Sequence, residues 1–496
     1  MAYSCFVTLK TSANVLVPVT LAAMSMCGCS AISPPVTETQ VASFSARLSD
    51  ELRTTIEPPS GPITMSDAVA RAINYNHTVR AHELEVSLSE AKARAQGGAL
   101  LPNIVAESDY YRQDRLQMSH SSGSPEFSTS SDIASISRNI TLSWNILDFG
   151  LSFIRARQSV NKAHEQREEA RRISSRITEE TRSAFWKAVA LEELAPGLKR
   201  LDAEVNAAMA LAREAANDNR FDPMMAITIQ RDVLNLQREL NQIHSSIAGA
   251  KDQLKQLIGL QDLPEVSLDH ARKPGLSVLP ATSADQDVAT ALIQRPEIRQ
   301  HMYDMRITED EIDATILKVL PGATFSNNFA SDSNSYLLHS NWISWGTKIT
   351  GNLINLVRLD ADLEAVEEQG LVQRQSALAT AATVVMQVHV ARARLAVAQR
   401  TYRDAERFAL LQRLFLKQVG VSLAAGKVGQ QALTREKLST LLAQVRAILA
   451  FADFQSASAA YSTAKGDDTD PNHGGVDSLP GLSSLLEPTR IVEVQQ

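Results

Sequence analysis

The residue types that could do chemistry are several adjacent acid pairs, ten histidines, three cysteines and a small basic cluster. Two carboxylates with separated pKa values make a general acid and a general base. Four of the pairs are Glu168-Glu169, Glu179-Glu180, Glu192-Glu193 and Glu367-Glu368. All four fall in helical patterns. The first two also have arginines three or four positions away, the spacing of solvated ion pairs on a helix face. They read as charged surfaces and not as catalytic dyads. The histidines are scattered, with no His-x-x-x-His spacing, and His77, His82, His301 and His389 sit in helical patterns that suit hydrogen-bonding roles. Cys5, Cys27 and Cys29 leave the rest of the chain without a thiol, so neither a disulfide framework nor a thiolate metal site is expected. No phosphate-cradling Gly-x-x-x-x-Gly-Lys-Ser/Thr loop and no Gly-x-Ser-x-Gly elbow occurs. A net charge of -7, pI ≈ 5.9 and the lack of a basic helix or aromatic platform point away from nucleic acid. The expectation is a protein without cofactor, metal or catalytic centre.

The elements that carry these residues come in two copies. Residues 69–102 recur about 219 positions later: Val69 and Ala72 as Val288 and Ala291, Arg80 and His82 as Arg299 and His301, Leu101-Pro102 as Leu320-Pro321. A period this long is no solenoid unit, so it reads as a duplicated half-molecule with the same architecture twice. Each half opens on a capped helix, Thr64 with Asp67 and Ser283 with Gln286. The helices are expected from about Asp67 to Leu101 and from Asp285 to Leu320, each stopped by proline. Strands follow at Ile104–Tyr111 and Ile133–Leu147, then at Ala323–Ala330 and Trp342–Asn355. In the second of these, Ile140, Leu142, Trp144 and Ile146 alternate with Asn139, Thr141, Ser143 and Asn145. In the fourth, Ile343, Trp345, Ile349 and Leu353 share one face and Lys348, Thr350 and Asn352 the other. Such strands have one apolar and one polar face, as in a membrane barrel or half-buried in a soluble sandwich. Long helices are expected from Leu151 to Asp218, with a kink or loosened turn at Pro196-Gly197, and from Arg358 to Ala424. Return helices run from Met224 to Leu257 and from Val428 to Ala464. A long helix near 68 residues could reach about 100 Å.

At the N-terminus, a short apolar run ends in Met26-Cys27-Gly28-Cys29, which resembles the lipobox of bacterial lipoproteins. That resemblance implies cleavage after Gly28 and lipid on Cys29, and Ser30 in place of Asp implies delivery to the outer membrane. The domain reading is a signal peptide at 1–28, a lipid-anchored extended tether at 29–62, a first repeat at 63–260, a connector at 261–284, a second repeat at 285–465 and a flexible tail at 466–496.

The stretch LSWNILDFG at 142–150, just before the longest helix, resembles the strand end of the TolC-type outer-membrane efflux factors. With the duplication and the element order, the resemblance covers roughly residues 62–465. It implies a mainly α fold with a small membrane β-barrel contribution: tandem-duplicated long α-helical hairpins plus four transmembrane strands per chain, closed as a trimeric α/β barrel. It implies a passive exit duct served by a periplasmic adaptor and an inner-membrane transporter, with outer-membrane lipid around the strands. The hairpin tips, Asn219, Arg220, Phe221, Asp222, Gly426, Lys427 and Val428, are the implied adaptor-docking sites. Asn219 stands where the family usually has glycine, and the second strand-to-helix junction, at 352–357, lacks the family's glycine. Because residues 411–430 contain no acid, the constriction is expected to be basic or apolar, at Leu416, Lys417, Leu423 and Lys427, with Arg413 nearby. The competing reading is a structural coiled-coil outer-membrane lipoprotein without a pore. An enzyme on a helical scaffold has no residue constellation behind it.

Overall fold

The computed structural model describes residues 35–54, 59, 61–120, 123, 126–217, 223–260, 266–269 and 282–467. The chain divides into two units, residues 1–57 and 58–496. In the first, α1 (Glu38–Thr54) occupies much of the stretch expected to be an extended tether. Pro35 and Pro58 flank a proline-free segment, and Thr37 and Gln40 exchange backbone-to-side-chain hydrogen bonds at 3.0 and 3.4 Å that start a helix. Val41, Phe44, Leu48 and Leu52 form an exposed apolar stripe along it.

The second unit holds the duplication. Its elements are α2 (Met65–Tyr75), α3 (His77–Gly97), β1 (Asn103–Arg112), β2 (Ser119–His120), β3 (Phe127–Ser128), β4 (Ala134–Asn145), α4 (Ile146–Asn217), α5 (Pro223–Ile247), α6 (Ala250–Leu257), α7 (Ala284–Gln294), α8 (Pro296–Leu317), β5 (Gly322–Asp332), β6 (Asn341–Thr350), α9 (Leu353–Ala424) and α10 (Gln430–Lys465). Helices α2 and α7 match at both ends at an offset of 219. Past the connecting loop, which is shorter in the second half, α4 and α9 match at an offset of 207. Both expected capping boxes form, at Thr64 with Asp67 and at Ser283 with Gln286.

The first helix of each half is broken where a single helix was expected. In the first, the Asn76 side chain accepts from the N–H groups of Thr78 and Val79 and donates to Leu257 O at 3.1 Å, so it starts a new helix. In the second, Pro296 has no N–H and pushes Arg295 to extended backbone. The first return helix breaks too, at Gly249, whose φ of 76° is left-handed. Both long helices begin five residues earlier than expected, because Asn145 and Asn352 accept from the N–H groups of Leu147 and Ile354. Helix α4 runs unbroken through Pro196. At 72 residues, α4 and α9 each extend about 108 Å.

Along α4 pack α2 and α3 towards the sheet and α5 and α6 towards the far end, while α9 is lined by α7, α8 and α10. Helix α4 also packs on α8 and α10, which joins the halves. The core is a seam between helices. One cluster unites Leu194, Val233 and Leu442, and another unites Ala291, Val388, Phe454 and Tyr461. The connector returns to the start of the repeat: Ile63 donates to Ser267 O and accepts from Asp269 N–H, both at 2.9 Å.

One junction is solved differently in the two halves. In the second, fully buried Asp287 accepts from Thr282 Oγ1 at 2.8 Å, from the Tyr461 hydroxyl at 2.7 Å and from the Arg392 guanidinium. Burial alone would raise its pKa, but these donors hold it below the usual carboxylate value. Burial and the Asp287 carboxylate push the Tyr461 hydroxyl up to about 12, so it stays a donor. The equivalent residues of the first half are Ile63, Ala68, Phe185 and Leu254, all buried and apolar.

Candidate functional site

The four-stranded sheet has the order β1-β4-β5-β6, antiparallel throughout, and its pairing sets the faces. One rung reads Ala106, Ile140, Phe329 and Ile343, and another reads Ile104, Leu142, Asn327 and Trp345. Residues opposite each other share a face, and alternate residues along a strand return to it. Trp144, Phe325, Ile136, Tyr110 and Ile349 therefore join this apolar face. The other face carries Glu107, Asp109, Asn139, Thr141, Ser143, Ser326, Asn328, Asp332 and Lys348.

The apolar face is exposed. Trp345, Ile349 and Ile343 are 75%, 73% and 68% exposed, and no described element packs over them. On a protein surface a contiguous apolar patch of this kind marks contact with a partner or a membrane. The outer strands, β1 and β6, have one unpaired edge each among the described residues. Ten-residue strands, such as β1 and β6, suit a tilted crossing of a bilayer. No described helix is long and apolar enough to cross one.

The loops at the far ends of the strands hold one another. Ser335 donates to Asp132 through its N–H at 2.6 Å and its hydroxyl at 2.9 Å, and Asn334 Nδ2 donates to Ser130 O at 2.9 Å. The loop after β1 contains the small β2–β3 hairpin.

The α9–α10 tip closes by a left-handed turn. Gly426, at φ 70°, donates to Leu423 O, and Lys427 donates to Ser422 O, both at 2.9 Å. This is a Schellman closure, which spends the last free carbonyls of the helix on its own turn. Lys417, Lys427, Arg413 and Gly426 are exposed, and Leu416, Leu423 and Val428 are half-buried. Asn219, Arg220, Phe221 and Asp222 of the other tip, and Cys29, lie outside the described residues.

No described group of acids, histidines or cysteines could hold a metal ion. Of the acid pairs that suggested chemistry, two hold ion pairs on their own helix, Glu168 with Arg171 at 2.5 Å, Glu169 with Arg172 at 2.8 Å and Glu180 with Arg176 at 3.9 Å, and Glu367-Glu368 is exposed to solvent. Glu192 instead meets Lys251 across to α6, at 2.5 Å. Sequence spacing missed that partner, as it missed Glu311 on α8, which accepts from Arg155 and Gln158 of α4. Burial raises the Glu311 pKa, but these hydrogen bonds and the charges of Arg155 and Lys318 outweigh it and bring it to about 2. A depressed carboxylate stabilises the native state above its unfolded pKa, near 4.5, and loses that contribution as pH falls towards 2. Melting temperature measured against pH should therefore show wild type and Glu311→Gln converging across that window. A constant gap between the two down to the lower limit would remove the assignment.

No family model and no curated protein sequence matches this chain. Solved structures do. The Campylobacter jejuni CmeC outer membrane channel is 13% identical with a TM-score of 0.66, over 84% of this chain and 91% of that one. The open state of the Neisseria gonorrhoeae MtrE outer membrane channel is 16% identical with a TM-score of 0.62, over 81% and 88%. The outer-membrane channel OprN is 12% identical with a TM-score of 0.64, over 81% and 89%.

Proposed function

We propose, from a chain with the fold of the TolC-type outer-membrane channels, that this protein is a passive exit duct of a tripartite efflux or type I secretion system. The observation that carries the reading is the two-faced sheet, one face apolar and open to the surroundings, the other polar. Four strands cannot enclose water, since about eight is the smallest closed barrel. Three copies would supply twelve and leave no open edge in the bilayer, which cannot satisfy one. The polar face, with Lys348, then lines a wet lumen, and the helices continue the tube through the periplasm. Cys29 carries the lipid anchor in the outer membrane. Energy comes from an inner-membrane transporter reached through a periplasmic adaptor, which docks at residues 219–222 and 426–428. The protein needs no cofactor and does no catalysis.

The constriction lies at the α9–α10 tip, where Lys417 and Lys427 bring positive charge and Leu416 and Leu423 narrow the passage. Purified protein should run as a heat-resistant trimer and open pores in planar bilayers. In single-channel records, Lys417→Ala with Lys427→Ala should shift selectivity towards cations. Unchanged conductance and selectivity would move the constriction elsewhere. A well-folded monomer that opens no pore would instead favour a spacer lipoprotein.

A further inference from the structure

The duplication gives the seam inside one chain a counterpart between chains. Inside the chain, β4 and α4 of the first half meet β5 and α8 of the second. Moving each residue to its equivalent in the other half turns this into β6 and α9 of one copy against β1 and α3 of the next. We infer that this seam joins neighbouring copies and that its side-chain chemistry is the inverse of the internal one. The inference rests on the oligomeric duct proposed above and names the surfaces that build it.

The polarity reverses at successive positions. Internally, Arg155 and Arg157 of α4 meet Glu311 at 3.0 Å and Asp313 at 3.3 Å on α8. Their equivalents are Asp362 and Glu364 on α9, facing Lys92 and Arg94 on the neighbour's α3. All four are exposed. Acid and base have traded helices, yet each pair stays opposite in charge. Size is inverted as well. A Cβ on Gly150 would come within 2.8 Å of Leu317 Cδ2, so a larger residue there would make the leucine side chain shift. The equivalent pair is Val357, exposed, against Gly98, which has open space around it. This matches the glycine missing from the second junction: the small residue stands just past the end of the partner helix. His164 stacked on Tyr303, with ring centroids 5.3 Å apart, becomes Leu371 against Leu84, both exposed.

The sheet continues the pattern. Thr141 pairs with Asn328 in register and donates to it at 3.1 Å. The equivalents are Lys348 and Asp109, both on the polar face, so the lysine of one copy finds a carboxylate of the next. The reversed polarity also fixes how copies join. A second-half long helix suits a first-half short helix, whereas α4 presented to α3 of another copy would set Arg155 and Arg157 against Lys92 and Arg94.

The test uses the full chain in detergent. The pair Asp362→Lys with Glu364→Arg should lose most of the heat-resistant oligomer, as should the pair Lys92→Glu with Arg94→Asp. Combining all four should recover it, which a folding defect would not do. Asp109→Cys with Lys348→Cys should form covalent oligomers on oxidation, while Asn103→Cys with Lys348→Cys, six residues out of register, should not. A wild-type oligomer that tolerates both reversals, or that cross-links only through the shifted pair, overturns this seam and leaves the duct standing. A wild type that never associates removes both.

Discussion

Asp287→Ala is expected to cost about 1–3 kcal/mol, because it takes the shared acceptor away from the buried Tyr461 hydroxyl and the half-buried Arg392 guanidinium. The same junction in the first half holds Ile63, Ala68, Phe185 and Leu254, so the chain contains its own apolar alternative. Buried ion pairs are often matched or bettered by apolar residues of similar volume, since desolvation offsets much of the attraction. The fourfold variant Thr282→Ile, Asp287→Ala, Arg392→Phe, Tyr461→Leu should therefore regain most of what the single change loses. Denaturant midpoints followed by helical circular dichroism measure both. If the single variant stays within about 0.5 kcal/mol of wild type, as surface changes do, the network contributes little. If the fourfold variant is worse than the single one, the two junctions are not interchangeable.

That network also shows what the sequence hides. Asp287, Arg392 and Tyr461 lie on separate helices, and no local pattern links residues 105 and 174 positions apart. Periodicity is local, so the features it governs were legible: the two-faced strands, the capping boxes, the hairpin turn at Gly426 and the duplicated order of elements. The helix breaks were missed for different reasons. Pro296 was visible, but its equivalent is His77, and the repeat masked it. Asn76 acts through a carbonyl 181 residues away. The long helices start earlier than periodicity suggests, because Ile146 and Leu353 extend the alternation of their strands while Asn145 and Asn352 have already turned the backbone. In α1 the flanking prolines concealed a helical stretch between them. The constriction and docking residues were chosen from a resemblance, and one chain alone does not bring copies of a tip together.

The sheet offers a sharper separation of duct from spacer than gross pore formation, because neighbouring residues should respond oppositely. Ile140 lies in the rung of Ala106, Phe329 and Ile343 on the apolar face, and Thr141 lies on the polar one. Arginine at the midplane of the lipid face of a barrel costs about 2–4 kcal/mol, while lumen positions tolerate charge and tune selectivity. Ile140→Arg should thus sharply reduce the heat-resistant oligomer recovered from the outer membrane. Thr141→Arg should assemble near wild-type levels, giving up only its bond to Asn328, and its reversal potential should move towards anions. In a soluble spacer the expectation inverts. Ile140 would then be a surface residue, half exposed to water, and arginine there would be harmless or would aid solubility. Oligomer yield and reversal potential for the two variants side by side decide the matter, and a tolerated Ile140→Arg would place water, not lipid, against that face.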